Sequence, residues 1–253
     1  MTLGEVENWI AAFLHHNEWA GRDKSLNGLQ AGDRNAEVRR VAFAVDASLA
    51  SFEKAAADGA DLLVVHHGLF WGSPLAVTGD HFRRLQFLLD RRLGLFASHL
   101  PLDVHPEVGN NRGMAEALGL TEVRPFGDYR GTKIGLAGRL PNPLTLERIC
   151  EILLHGRESA LGILPFGKKE IQTVGLVSGG ASQSYVEAIA EGLDLFVTGD
   201  ADHTVYHPAL EAELNVLFGG HYATETWGVR LLSKVLGREL GLSTVFLDVP
   251  TGL

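Results

Sequence analysis

The stretch DLLVVHHGLFWG, Asp61 to Gly72, decides how this chain is read. It begins as a run of strand formers, ends on the adjacent histidines His66 and His67, and then turns at Gly68. A short apolar run between turn signals reads as a strand buried on both faces, as in a parallel sheet. Strands in such sheets aim their last side chains into the crevice at the carboxyl edge, where ligands bind. Successive strand residues face opposite sides, so both histidines reach one place only if the strand ends there and the chain twists, which Gly68 permits. Taken alone, His-His is better explained as a sheet-edge residue beside an exposed neighbour.

Outward from this stretch, strand-length apolar runs alternate with amphipathic ones. VRRVAFAVDAS, DLLVVHH and LGLFASH read as strands, separated by the helical patterns SLASFEKAAADGA and HFRRLQFLLDRRLG. After a break around RPFGDYRGTK comes a short strand, IGLAGRL, and a helix that Thr145 is placed to cap. TVGLVSGGAS, LDLFVTGD and LNVLFGG are further strands with QSYVEAIAEG and HPALEAE as helices between them; a long helix from TETWGVRLL and a closing strand STVFLDV follow. The alternation predicts an α/β fold with mainly parallel sheets, and the likeness of the two halves predicts two related domains with the site in the cleft between them. The expected boundaries are 1–126 plus 228–253 for the first domain and 127–227 for the second.

The halves read as repeats of one βαβαβ unit. VAFAVDAS matches VGLVSGGAS, DLLVVHHG matches DLFVTGDA, and LFASHLPLD matches LFGGHYATE, which sets His99 opposite His221 and Asp103 opposite Glu225. Each of these histidines has a carboxylate four residues on, and each ends an apolar run, as His66 and His67 do. Pro101 places His99 at the strand end and Asp103 in the turn or first helical turn after it. Imidazole and carboxylate without thiolate suit zinc, manganese, iron, cobalt or nickel, and are too rich in nitrogen for calcium or magnesium. The set exceeds what one catalytic zinc takes, so two divalent ions fit better.

VVHHGLFW, SHLPLDVHPEVGNN and FGGHYATE, with DKSLNGLQAG before them and VTGDADHTVYH in the second half, resemble the Nif-three-like family of dinuclear-metal hexameric proteins. That family carries the name GTP cyclohydrolase 1 type 2 homologue. The resemblance runs from Asp23 to Glu225 and implies a short form without the domain inserted in longer relatives. It also implies a two-domain fold and a toroidal homohexamer, a trimer of dimers. Family metal positions carried over are His66, His67, Asp103, His221 and Glu225, all present here. His99 is assigned proton transfer or ligand support. Asp200, His203 and His207 either line the site or, for Asp200 and Asp202, cap a helix. Asn27 and Gln30 either reach the cleft or form a turn. Phe70 and Trp71 either face a planar group or anchor a loop.

Three histidines and two carboxylates against two divalent ions leave an excess of about +2, which favours a small anionic substrate attacked by metal-activated water. Nothing in the sequence reads guanine. The alternatives are a metal storage or delivery protein and a hexameric scaffold; five ligands for two ions leave coordination positions open, which favours catalysis. A formal charge of −9 disfavours an electrostatic nucleic-acid binder. The single cysteine, Cys150, fits a reducing compartment, and with no signal-peptide pattern or membrane-length apolar run the expected location is cytoplasmic.

Overall fold

The computed structural model describes residues 1–154, 156 and 159–253. The chain begins with α1 (Leu3–Phe13), β1 (Gly28–Ala31), β2 (Arg40–Asp46), α2 (Leu49–Ala57), β3 (Leu62–His67), α3 (Gly79–Arg91), β4 (Gly94–Ala97) and α4 (Leu100–Asp103). It continues through α5 (Asn110–Ala117), β5 (Thr121–Tyr129), β6 (Thr132–Leu144), α6 (Leu146–Leu154), β7 (Gly162–Pro165), β8 (Ile171–Val177), α7 (Tyr185–Ala190), β9 (Leu195–Thr198), α8 (Tyr206–Glu211) and β10 (Asn215–Phe218). It closes with α9 (His221–Leu240) and β11 (Ser243–Phe246).

Met1–Val108 and Val229–Val249 form one compact unit. Its strands lie in the order β1-β4-β3-β2-β11, all parallel except β1, which pairs antiparallel with β4. The Val- and Leu-rich centres of β2 and β3 are buried on both faces, as a parallel sheet covered by helices requires. Phe52 of α2 and Leu88 of α3 are buried against Leu63, Val65 and Leu95. Ser48 and Ser51 cap α2 reciprocally, and Ser51 Oγ also donates to the Asp46 carbonyl at 2.7 Å. The turn leaving β2 is thereby fixed at Asp46.

Gly109–Gly228 and Pro250–Leu253 form the second unit. Its six strands run β5-β6-β8-β9-β10-β7, with β8, β9 and β10 parallel and the remaining pairs antiparallel, so this sheet is mixed. Alternate strand residues serve its two faces: Leu195, Val197 and Leu217 pack with Ile149 and Leu153 of α6, whereas Phe196, Val216 and Phe218 pack with Ala188 and Ala209. Thr145 accepts the Arg148 N–H at 3.3 Å, the expected cap of α6.

The expected break around RPFGDYRGTK is instead a β-hairpin. Tyr129 pairs with Thr132 across Arg130 and Gly131, at φ 53° and 84°. Two positive φ values match the turn to the right-handed twist of the flanking strands. The expected short strand IGLAGRL is part of the longer β6, whose pairing becomes irregular between Arg139 and Leu144, where Pro141 and Pro143 cannot donate. Strands β1 and β7 were also unread in the sequence. The sequence boundary at 126/127 lies inside β5, which pairs with β6 in the second unit.

The two βαβαβ segments share more than strand order. Asp61 Oδ2 accepts the backbone N–H groups of Arg39 and Arg40 at 2.8 and 3.0 Å, and Asp194 Oδ2 accepts those of Gln172 and Thr173, both at 3.0 Å. The carbonyls of the same two aspartates accept Gly94 N–H and Asn215 N–H. These matched anchors set Gly94 opposite Asn215, so His99 corresponds to Gly220, and His221 stands one residue later than the sequence alignment had it.

Burial alone would raise the Asp194 pKa, but hydrogen bonds from Lys168, Gln172 and Thr173 outweigh it and hold the carboxyl below its ordinary 3.8. Its contribution to stability is therefore present above that value and lost as pH falls through the lower folded-state pKa. In urea unfolding, Asp194→Asn is expected to cost about 2 kcal/mol at neutral pH. The difference from wild type should shrink in acid, and a pH-independent difference would show that the charge is not what stabilises.

Candidate functional site

In the first unit, β3 delivers His66 and His67 with ring centroids 4.6 Å apart. His66 is fully buried, and its Nδ1 lies 3.0 Å from the Ser98 carbonyl oxygen. A carbonyl only accepts, so Nδ1 carries a proton, and Nε2 lies 3.5 Å from Asp103 Oδ2. His67 Nδ1 is 2.8 Å from Asp46 Oδ1, its register partner on the adjacent parallel strand β2. His99 follows β4 and precedes α4, and its Nδ1 is 2.9 Å from Asp23 Oδ1. One ligand atom each from His66, His67 and His99 lie within 4.8 Å of one another. Asp103 is the last residue of α4, and Pro101 sits in that helix's first turn, where its missing N–H is tolerated.

Asp23 organises the approach to His99. Its carboxylate takes the His99 ring N–H, the backbone N–H groups of Ser25 and Leu100, and the Asn27 amide. Burial alone would raise its pKa, but these hydrogen bonds and the His99 charge lower it to about 2. Asn27 Oδ1 accepts the His99 backbone N–H at 2.8 Å, while Gln30 Oε1 accepts Leu69 N–H and Gln30 Nε2 donates to the Leu26 carbonyl. Asn27 and Gln30 are thus braces for the histidine loops. Gly68 has no positive φ; it is glycine because a Cβ would lie 2.3 Å from Gln30 Nε2. His16, unread in the sequence, has Nε2 2.9 Å from Ser98 Oγ, and burial, partly opposed by the Asp23 charge, lowers its pKa to about 4.

In the second unit, His221 opens α9 and Glu225 follows one turn later on the same face, with Nε2 to Oε2 at 3.3 Å. His221 Nδ1 is 2.8 Å from Asp200 Oδ1. Burial alone would lower the His221 pKa, but Glu225 and Asp200 outweigh it and raise it to about 9. Gly179, at φ 65°, makes room for the pair: a Cβ there would come within 2.1 Å of Glu225 Oε1 and 3.2 Å of His221 Nε2. The two readings of TGDADHTVYH divide between residues. Asp202 caps the short turn His203–Val205 through Thr204 N–H, and Asp200 orients His221. His207 packs edge-on to Tyr206.

Four histidines therefore share one polarity, Nδ1 on an oxygen and Nε2 turned the other way. Metal-ligating histidines characteristically donate their second ring N–H to a carboxylate or carbonyl, so this donor set fits divalent ions that prefer nitrogen and oxygen. The sequence reading missed three of the four acceptors, Asp23, Asp46 and the Ser98 carbonyl. A usable signal existed in spacing: Asp46 and His67 are 21 residues apart, as are Asp200 and His221. In the first pair Asp46 closes β2 and His67 closes its parallel neighbour β3; in the second Asp200 follows β9 and His221 follows its parallel neighbour β10.

The family model described as Duf34/NIF3 (NGG1p interacting factor 3) matches residues 1–251. A Deinococcus radiodurans protein named GTP cyclohydrolase 1 type 2 homolog is 44% identical over 249 residues, 98% of this chain and 94% of the relative. An Archaeoglobus fulgidus protein of the same name is 44% identical over 253 residues, 100% of each chain. The crystal structure of TTHA1606 from Thermus thermophilus matches with TM-score 0.89 and 41% identity over 100% of both chains.

With a pKa of about 9, His221 is protonated in the metal-free protein at pH 7.5, and an ion taking Nε2 must displace that proton. Calorimetric zinc titration in buffers of different ionisation enthalpy is expected to show release of about one proton from this residue, fading above pH 9. Buffer-independent heats at pH 7.5 would contradict the assignment of Nε2 as the ligand atom.

Proposed function

The chain belongs to the Duf34/NIF3 family, and on that premise we propose that it is a metal-dependent hydrolase of nucleotide-like or other small anionic molecules, holding two divalent ions. The observation that supports this most is the common placement of Nδ1 of His66, His67 and His221 on an oxygen acceptor, the arrangement characteristic of metal-ligating histidines. Together with Asp103 and Glu225 these are the proposed ligands. When bound, the ions supply Lewis acidity, lowering the pKa of water and offsetting negative charge that develops on the substrate.

The chain's own groups supply position and proton transfer. Asp46 and Asp200 keep His67 and His221 in the ligating tautomer and raise ring basicity. His99, held by Asp23, is not needed as a ligand, and its Nε2 is the group assigned to carry a proton to or from the substrate. Asp23, Asp46 and Asp200 also revise the charge balance. Five carboxylates now face the charge of two divalent ions, so an anionic substrate is held by open coordination positions and not by a general excess of positive charge. The relatives' name, GTP cyclohydrolase 1 type 2 homolog, makes ring opening of a guanine nucleotide one reaction within this class. The resemblance further supports a toroidal homohexamer, and the single cysteine a reducing, cytoplasmic setting.

Protein purified without chelator is expected to carry about two ions per chain. His66→Ala and Glu225→Ala, one in each unit, should each lose metal together with turnover of a nucleotide and phosphoester panel. Two ions without turnover across the panel would overturn the hydrolase reading, and a chain that takes up no metal would overturn the centre itself.

A further inference from the structure

Trp71 stands beside the histidine cluster without a part in holding it. Its ring centroid is 5.0 Å from that of His99, edge-on at 77°, and 5.8 Å from that of His67, tilted by 46°. Its Nε1–H donates to the Gly68 carbonyl at 3.0 Å. Even so, 40% of the residue is exposed. Its neighbour Phe70 differs: it packs edge-on against the buried His81 ring and anchors the loop.

The loop that carries Trp71 is fixed from both sides. Leu26 N–H donates to the Phe70 carbonyl, and Gly72, at φ 75°, lies where a Cβ would be 3.2 Å from the Lys24 carbonyl. The indole is thus held by one hydrogen bond and two ring neighbours next to the nitrogens that the proposed ions would use. A large aromatic surface fixed in place but left open is suited to binding, because the ordering entropy is already spent. Its faces favour offset stacking with a planar π system. Two cationic residues, Arg22 and Lys24, are exposed on the loop tied to it.

We propose that Trp71 is a stacking wall of the histidine site and makes it select planar heteroaromatic groups carried on a phosphate. This rests on the metal-site reading above and not on hydrolysis. It assigns Trp71 specificity, with no part in metal binding.

The test is calorimetric binding of AMP, GMP and ribose 5-phosphate to the zinc-loaded protein, its Trp71→Leu variant and its Trp71→Phe variant, with zinc content measured for each. Wild type is expected to bind both nucleotides at least about tenfold more tightly than ribose 5-phosphate, since stacking on one aromatic ring is worth a factor of that order or more. Trp71→Leu should erase the preference while keeping zinc and ribose 5-phosphate affinity, and Trp71→Phe should retain part of it. AMP should also quench indole fluorescence in wild type and not in Trp71→Phe, although both keep Trp9, Trp19 and Trp227. The proposal is overturned if Trp71→Leu keeps the preference, if wild type shows none, or if no ligand binds the zinc-loaded protein. Absent turnover with the preference intact overturns only the hydrolase reading.

Discussion

A ring N–H facing an oxygen at 2.8 to 3.0 Å recurs at His66, His67, His99 and His221, and the chemistry of the chain follows from it. Imidazole has two nitrogens and, when neutral, one proton. Whichever nitrogen meets an acceptor keeps the proton, and the other presents a lone pair. Here each Nδ1 meets an oxygen of the supporting backbone or carboxylate, while Nε2 of His66 and of His221 faces Asp103 and Glu225, the carboxylates proposed as fellow ligands. Three acceptors are carboxylates, which make the rings better electron donors than a carbonyl would.

Backbone geometry brings each acceptor into place. The parallel register of β2 and β3 sets Asp46 beside His67, and the capped turn of α2 fixes the backbone just after Asp46. Asp200 follows β9 and meets the histidine that follows β10, its parallel neighbour. Asp23 arrives by a loop that accepts hydrogen bonds from the His99 ring and from the His99 and Leu100 backbone. At Gly68 and Gly179 a Cβ would meet the ends of side chains that brace or form the histidine cluster, Gln30 and Glu225. The folding energetics of the sheets and the placement of the site therefore use the same residues.

Much of this was legible in the sequence. Apolar runs such as LLVV and LFVT announced the parallel strands, and the histidines at the end of β3 and just after β4 come together as a ring cluster. What escaped reading depended on partners far away in the chain. RPFGDYRG looks like a loop because it is dense in turn formers, yet Arg130-Gly131 turns a hairpin and Phe126 is fully buried in it. Asp23 is 76 residues from His99, and only the return of the first loop makes them neighbours. The repeat was visible in its strands and misjudged by one residue at its third, because the anchoring hydrogen bonds of Asp61 and Asp194 to the backbone leave no trace in side-chain pattern.

Which nitrogen of each ring holds the proton decides whether these histidines can take a metal through Nε2. Multiple-bond proton–nitrogen correlation spectra of the zinc-loaded, nitrogen-labelled protein read this directly. The expected result is a protonated Nδ1 in His66, His67 and His221, with Nε2 shifted by the metal, and a protonated Nδ1 in His99 whose Nε2 is not. Protonated Nε2 in any of the first three, or zinc on their Nδ1, would contradict it.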